Sequence, residues 1–237
     1  MRLTVIGSSP AWPNPGSAQS GYLVEGGSEA LLLDCGPGVL ARLRERGKQV
    51  NGIAITHFHL DHWGDLVPWA WMQHFAPGAV ERSCAVWLPP RGIEELTRFA
   101  SFWGNDHMFE HAFELREFEP QVPFGCSGFE VEAWRVPHYT LEAYGFRVRD
   151  PETGRVLAYS GDSAPSEELA ELARGADLFV CEATLADASR DGPPRGHLTV
   201  EEALAAADGP ILFTHRPVEL PAPDGYRVAH DGLTLEV

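Results

Sequence analysis

The apolar positions of the chain fall into two periods, and each predicts its own kind of element. Short apolar runs bounded by Gly, Pro or Asp predict buried strands at 3–7, 20–25, 30–34, 51–56 and 85–89, and again at 113–118, 129–136, 144–148, 156–162, 176–182 and 210–215. Apolar residues three and four apart predict helices over 39–46, 66–75, 93–103, 166–174 and 199–207. Gly47 and Gly175 stop two of these helices, and Thr199 with Glu202 forms a capping box at the start of the last. Gly26-Gly27 folds 20–25 onto 30–34 as a hairpin, and Pro151-Glu152-Thr153-Gly154 turns 144–148 into 156–162. The strands at 113–118 and 129–136 are expected to pair with each other in a second sheet. No linker, internal repeat or low-complexity tract breaks the pattern, so one domain over residues 1–237 is expected.

Composition narrows the setting. Hydrophobic residues make up 44% of the chain, enough for a sizeable core, yet no apolar run reaches the length of a membrane span. Met1 to Gly7 reads as a strand and not as a secretory signal. The four cysteines are scattered with no CxxC pair, so reduced core thiols in a cytoplasmic protein are expected. Charge excludes more. Thirty-four acidic residues face 18 basic ones, a net charge of −16. The one basic cluster, Arg42, Arg44, Arg46 and Lys48, has helical spacing and reads as a solvated face. A long nucleic acid is therefore a poor partner, and a small ligand is expected.

The chemistry is concentrated in Thr56-His57-Phe58-His59-Leu60-Asp61-His62. Three imidazoles and a carboxylate follow directly on a buried strand, so one loop can present four donor groups to a cation such as Zn²⁺ or Mn²⁺. His138 and Asp162 close two later strands, as isolated ligands completing a loop-borne site would, and His215 closes the last one. Trp63, Trp69 and Trp71 lie near the motif. They can wall a substrate pocket or fill the core, and core is expected for at least two of them. His107 and His111 stand four apart, as ligands on one helix face would, but no carboxylate partner pattern accompanies them and they read as surface or loop histidines. Taken alone, Asp34 is a turn residue, Glu182 a strand-end carboxylate and His197 a loop residue beside a helix cap.

The pattern His57-x-His59-x-Asp61-His62 after an apolar strand resembles the signature of the metallo-β-lactamase superfamily. That resemblance implies an α/β fold of the αββα sandwich type, two mixed β-sheets with helices on both outer faces and a metal site at one edge. Further stretches are similar, in order and over nearly the whole chain, to the superfamily's phosphodiesterase branch. They are His138 with Ala143-Tyr144-Gly145-Phe146, then Tyr159-Ser160-Gly161-Asp162, Glu182-Ala183-Thr184, His197-Leu198-Thr199 and Thr214-His215. The branch includes ribonuclease Z and small bacterial enzymes that hydrolyse cyclic nucleotides.

Carried over residue by residue, the resemblance implies one ion held by His57, His59 and His138, and a second held by Asp61, His62 and His215. Asp162 would bridge them. Two Zn²⁺ per chain are implied, with Mn²⁺ as the alternative. Asp34 would support the metal loop, Asp61 would also orient the nucleophile, and His197, kept basic by Glu182, would give a proton or hydrogen bond to the phosphate or the leaving oxygen. Two features depart from ribonuclease Z. His138 and Asp162 are separated only by a strand, a turn and a strand, with no inserted arm to grip transfer RNA, and the helix usual after the last histidine is missing or very short.

The expectation is a zinc-dependent hydrolase of a small phosphodiester such as a cyclic nucleotide, with a homodimer left open. The nearest alternative is an endonuclease acting at the 3′ end of transfer RNA. A di-iron oxidoreductase is disfavoured because nothing resembles an attached flavin domain, and a non-catalytic binding protein because all seven ligand positions are filled.

Overall fold

The computed structural model describes residues 1–78 and 84–237. Leu31, Leu32 and Leu33 are all fully buried, which successive strand residues can be only when both faces of their sheet are covered. Leu32 packs with Ile6, Leu23 and Ile53 under helices, whereas Leu31 and Leu33 pack with Leu3, Val5 and the apolar side chains of a second sheet. The twofold period of the strand thus serves two separate cores.

The first sheet holds β1 (Arg2–Gly7), β2 (Gly21–Gly26), β3 (Glu29–Leu33), β4 (Gly52–Ala54), β5 (Ala85–Leu88) and β6 (Glu114–Glu117), with β14 (Thr234–Glu236) on the far side of β1. Pairing is antiparallel from β14 to β3 and parallel from β3 to β6. The second sheet runs in the order β13 (Arg227–Val228), β12 (Ile211–Thr214), β11 (Leu178–Glu182), β10 (Val156–Tyr159), β9 (Leu141–Arg149), β8 (Phe129–His138) and β7 (Phe124–Cys126). It is parallel from β13 to β10 and antiparallel from there to β7.

Helices α1 (Val39–Glu45), α2 (Leu60–Trp63), α3 (Leu66–Phe75), α4 (Gly92–Ser101) and α5 (Met108–Ala112) cover the first sheet. Helices α6 (Glu167–Ala173) and α7 (Val200–Ala206) cover the second. The molecule is an αββα sandwich of two mixed sheets. Among the described residues no helix is long and apolar enough to cross a membrane.

Two sequence expectations change, and a third, the missing helix after His215, holds. The segment at 113–118 does not pair with 129–136. Glu114–Glu117 lies parallel to β5 at the edge of the first sheet, and β8 pairs instead with β7 and β9. Apolar alternation marks a strand without saying which sheet it joins, and the polar Glu114, Arg116 and Glu117 suit an edge. The basic cluster is not wholly solvated either, because Arg42 pairs with Asp231 and ties α1 to the C-terminal segment. After His215 the chain forms no helix among the described residues. It returns as β13 and β14, one in each sheet. Arg216, buried, donates to the carbonyls of Ala183 (2.8 Å) and Pro221 (3.0 Å), and Asn14 donates to Arg216 O and accepts from Val218 N. The shortened segment is thereby pinned against the loop after β1.

The parallel strands β10, β11 and β12, with β8 alongside, deliver their carboxyl ends to one edge, where the loop after β4 meets them. There β9 is crossed so closely by α6 that a Cβ on Gly145 would lie 2.3 Å from Leu172 Cδ2 and 2.7 Å from Tyr159 O. Gly145→Ala should therefore overpack this contact and cost about 1–3 kcal/mol of stability, read as a lower urea midpoint at unchanged slope. An unaltered midpoint would show that α6 rides freely over the strand.

Candidate metal centre

At the end of β4, Ile55 still donates to Trp87 O, and the chain then turns at His59, which caps α2 in an extended conformation. Asp61 and His62, in the first turn of α2, point back over the strand end. Around Asp162 the donor atoms sort into two groups, each with all its atoms within 4.8 Å of one another. In the first, His57 Nε2 and His138 Nε2 lie 3.9 and 4.0 Å from Asp162 Oδ2, and His138 Nε2 is 2.9 Å from His59 Nδ1. In the second, His62 Nε2 lies 3.3 Å from Asp162 Oδ2 and 3.4 Å from Asp61 Oδ2. His215 Nε2 is 3.1 Å from Asp61 Oδ2 and 3.6 Å from Asp162 Oδ1. All seven residues singled out in the sequence meet here, and Asp162 belongs to both groups.

Six of the seven side chains are buried, and His59 alone is exposed, marking the mouth. His57 Nε2, His62 Nε2 and Asp162 Oδ1 are buried without a hydrogen-bond partner among the described residues. Leaving a buried acceptor unpaired costs roughly 1–3 kcal/mol, and a cation removes that cost. Imidazole nitrogen and carboxylate oxygen are the donor set of borderline divalent ions, so these residues fit such ions well.

Most of these rings are aimed by a bond at the other nitrogen. His138 Nδ1 donates to the carbonyl of Gly196 (2.7 Å), and because a carbonyl only accepts, the Nε2 lone pair is free for the pocket. His62 Nδ1 donates to Asp34 Oδ2 at 2.7 Å. The Thr56 amide and hydroxyl also donate to Asp34, at 2.8 and 3.0 Å, so the hydroxyl oxygen is left to accept from His57 Nδ1 (3.0 Å). Thr184 repeats the device. Its hydroxyl donates to Glu182 Oε2 (2.7 Å) and accepts from His215 Nδ1 (2.9 Å). Asp34 thus orients two rings and Glu182 a third through a threonine. Asp34 and His215 have φ of 59° and 53°, left-handed values that are costly for residues with a Cβ.

Burial works against charge throughout the cluster. It lowers the pKa of His57, with His62 adding to the effect, and that of His59, with His138 adding. His138 is likewise lowered by burial. For Asp61 burial is outweighed by His62 and the bond from His215, and for Asp162 by His215 and His62, so both carboxyls stay well below the ordinary range. His62 is the exception among the rings. Although burial opposes its charge, Asp162, Asp34 and Asp61 raise it well above the usual imidazole value. The field of the pocket therefore favours positive charge.

A third group contains Glu182, His197 and His215. Glu182 is no cation ligand, because its oxygens already accept from Ser163 N, His197 Nδ1, Thr184 N, Thr184 Oγ1 and Leu198 N. Its bond to His197 is 2.9 Å. Burial opposes charge on His197, but Glu182 outweighs it and carries the ring up to about 9. The ring stacks on His215 with centroids 5.7 Å apart. Asp191, which carries no motif signal in its Pro/Gly-rich loop, accepts from the amides of Gly196 (2.8 Å) and His197 (2.9 Å) and so fixes the backbone that aims His197.

The tryptophans do not wall the site. Trp63 donates to Phe58 O and packs on Phe99, while Trp69 packs on Phe113, both inside the helix-covered core, and Trp71 stacks on Phe75 at the surface. His107 and His111 are exposed at α5 and join no cation-holding group among the described residues.

Comparison with known proteins agrees with this geometry. A family profile described as "Beta-lactamase superfamily domain" matches residues 29–210. The chain is 33% identical over 224 residues to an uncharacterized protein of Mycobacterium leprae, covering 92% of this chain and 78% of that one. It is 28% identical over 243 residues to a ribonuclease Z of Mycobacterium bovis, covering 91% and 85%. The crystal structure of the metallo-β-lactamase fold protein YhfI from Bacillus subtilis superimposes with a TM-score of 0.82 at 22% identity, covering 99% of both chains.

Asp34→Asn keeps a residue that tolerates the left-handed backbone but removes the charge that holds Thr56 and His62. It should weaken divalent-ion affinity by about 10–100-fold, read by competition with a chromogenic chelator, with the far-ultraviolet dichroism unchanged. Wild-type affinity would show that the charge of Asp34 is dispensable to the cluster.

Proposed function

The chain belongs to the β-lactamase superfamily, a metallo-hydrolase superfamily with phosphoesterase relatives, and from that premise we propose that it is a dinuclear zinc-dependent hydrolase of small phosphodiesters, cyclic nucleotides foremost. The observation that carries the reading is the sharing of Asp162 by two His/Asp groups beside the Glu182–His197 couple. His57, His59 and His138 would hold one ion, Asp61, His62 and His215 the other, with Asp162 between them. Bound there, two divalent ions supply Lewis acidity to the phosphoryl oxygens and make an attacking water more acidic.

The chain's own groups do the rest. Asp61, kept ionised, accepts a hydrogen bond from the attacking water and fixes its direction. His197 binds Glu182 through Nδ1, which leaves Nε2 to donate a proton to the departing oxygen, and Glu182 stabilises the imidazolium until that transfer. The four free cysteines, all buried, suit a reducing cytoplasm. The net charge of −16 and the short connection from His138 to Asp162 disfavour a long polyanion.

Purified protein should carry close to two transition-metal ions per chain, and Asp162→Ala should lose affinity at both positions. Elemental analysis finding a single tight ion, indifferent to Asp162→Ala, would end the dinuclear reading. His197→Ala should lower kcat by roughly 10²–10⁴-fold at unaltered metal content, and full turnover would return His197 to a loop residue.

The substrate class is tested by kcat/KM for a cyclic nucleotide, a nitrophenyl diester and precursor transfer RNA at two salt concentrations. The small diesters should be cleaved with weak salt dependence, because few phosphates are contacted. Efficient, steeply salt-dependent cleavage of the RNA would make the chain an endonuclease instead.

A further inference from the structure

Strands β8 and β9 are joined by two residues, Tyr139 and Thr140, after the last pair His138–Leu141. Tyr139 has φ of 50°, a left-handed value that such tight turns normally give to Gly or Asn. A strained tyrosine in this place calls for a reason in its side chain. The ring lies beside both functional imidazoles, with centroids 4.9 Å from His138 and 5.7 Å from His197. One side rests on Gly196, where a Cβ would come within 2.4 Å of the ring. The hydroxyl is directed at Asp191, the carboxylate that also fixes the His197 backbone, and Tyr139 N donates to Arg195 O at 2.9 Å. The ring is therefore locked in place, yet the residue is 41% exposed. It borders an open cleft of about 580 Å³ that it shares with His138, Arg135, Pro165 and Glu168. With Trp63 and Trp69 committed to the core, Tyr139 is, among the described residues, the exposed aromatic ring that packs on the site histidines.

We propose that Tyr139 determines specificity, its ring forming the platform on which a flat aromatic substituent of the substrate, a nucleobase, stacks while the phosphate lies at the His/Asp cluster. The proposal rests on the phosphodiesterase reading above and narrows it to base-bearing diesters. Stacking on an aromatic ring tolerates any base and contributes about tenfold or more in affinity per base. Because the ring is held before substrate arrives, little ordering cost is added on binding. The hydroxyl faces Asp191, so the contact to the base is made by the ring.

The test compares wild type, Tyr139→Phe and Tyr139→Leu on two substrates with the same cyclic phosphate. These are 3′,5′-cyclic AMP and methyl riboside 3′,5′-cyclic phosphate, which has no base. Calorimetric binding of 5′-AMP and of ribose 5-phosphate is measured in parallel. In Tyr139→Leu the ratio of kcat/KM for the base-bearing over the base-free diester should fall about tenfold, chiefly through KM, and the affinity ratio of 5′-AMP over ribose 5-phosphate should fall equally. Tyr139→Phe should keep both ratios within about twofold. Equal losses on both substrates, or none on either, would overturn the platform and leave Tyr139 as a support for His197. Turnover of neither diester by the wild type would instead overturn the phosphodiesterase reading, and the binding ratio would still decide the role of Tyr139.

Discussion

Five imidazoles and two carboxylates direct their donor atoms into one small, largely buried volume, and among the described residues no donor satisfies all of them. That concentration of lone pairs is the constraint on which the rest depends. Left to relax, the rings would turn to find donors or solvent. Four of the five are prevented from turning at the opposite nitrogen, by Asp34 directly, by Asp34 and Glu182 through Thr56 and Thr184, and by the Gly196 carbonyl. Unpaired buried atoms and left-handed backbone at Asp34 and His215 both draw on the marginal stability of a folded chain. Such costs persist only where packing over-determines the geometry and where a ligand finally takes the lone pairs.

The sandwich supplies that packing. Asp34 lies after β3 of the first sheet, yet it accepts a 2.8 Å bond from the hydroxyl of Tyr159, at the end of β10 in the second. Tyr159 in turn packs on Tyr22, whose hydroxyl meets Thr214, next to His215. The anchoring carboxylate of one sheet is thus tied to strand ends of the other, and the two halves of the cluster cannot drift apart without opening the core between the sheets. Gly161 shows how tight the junction is. Its φ is 58°, and a Cβ there would lie 2.6 Å from Tyr144 O and 3.2 Å from Thr56, so glycine is required immediately before Asp162.

Much of this was legible in the sequence, for physical reasons that also explain what was not. The longer strands and helices followed from periodicity, whereas the short β7, β13, β14 and α5 carried too few residues to show one, and the capping box at Thr199 and Glu202 formed as expected. The His57–His62 motif stood out because that donor chemistry is seldom crowded into one strand end without a use, and the family resemblance completed the set of seven. The sheet joined by Glu114–Glu117 was not legible, because which neighbour a strand pairs with depends on crossovers that local pattern does not record. The fate of the tryptophans was equally hidden. Indoles near a motif in sequence face away from it when the helix carrying them packs its apolar side on the sheet, as Trp63 and Trp69 do. Asp191 and Tyr139 escaped because their roles arise from loops that meet only in the folded chain.

Charge places the recognition problem at the mouth. With a net charge of −16, the surface as a whole repels a phosphate ester at long range, and screening confines that repulsion to about 8 Å at physiological ionic strength. Attraction must therefore be generated within a few ångströms of the cluster, by cations held on its donor atoms and by the ring of His197, which Glu182 keeps charged. A substrate with one phosphate meets that local field once and the acidic surroundings little. A polyanion meets the surroundings at every further phosphate and gains nothing for them. What a small diester lacks in charge contacts it can recover only from neutral surface, and beside the two imidazoles that surface is the ring of Tyr139. On the proposed reading the acidic shell and the strained tyrosine are two sides of one arrangement, in which selection would fall to a single phosphate and the flat group attached to it.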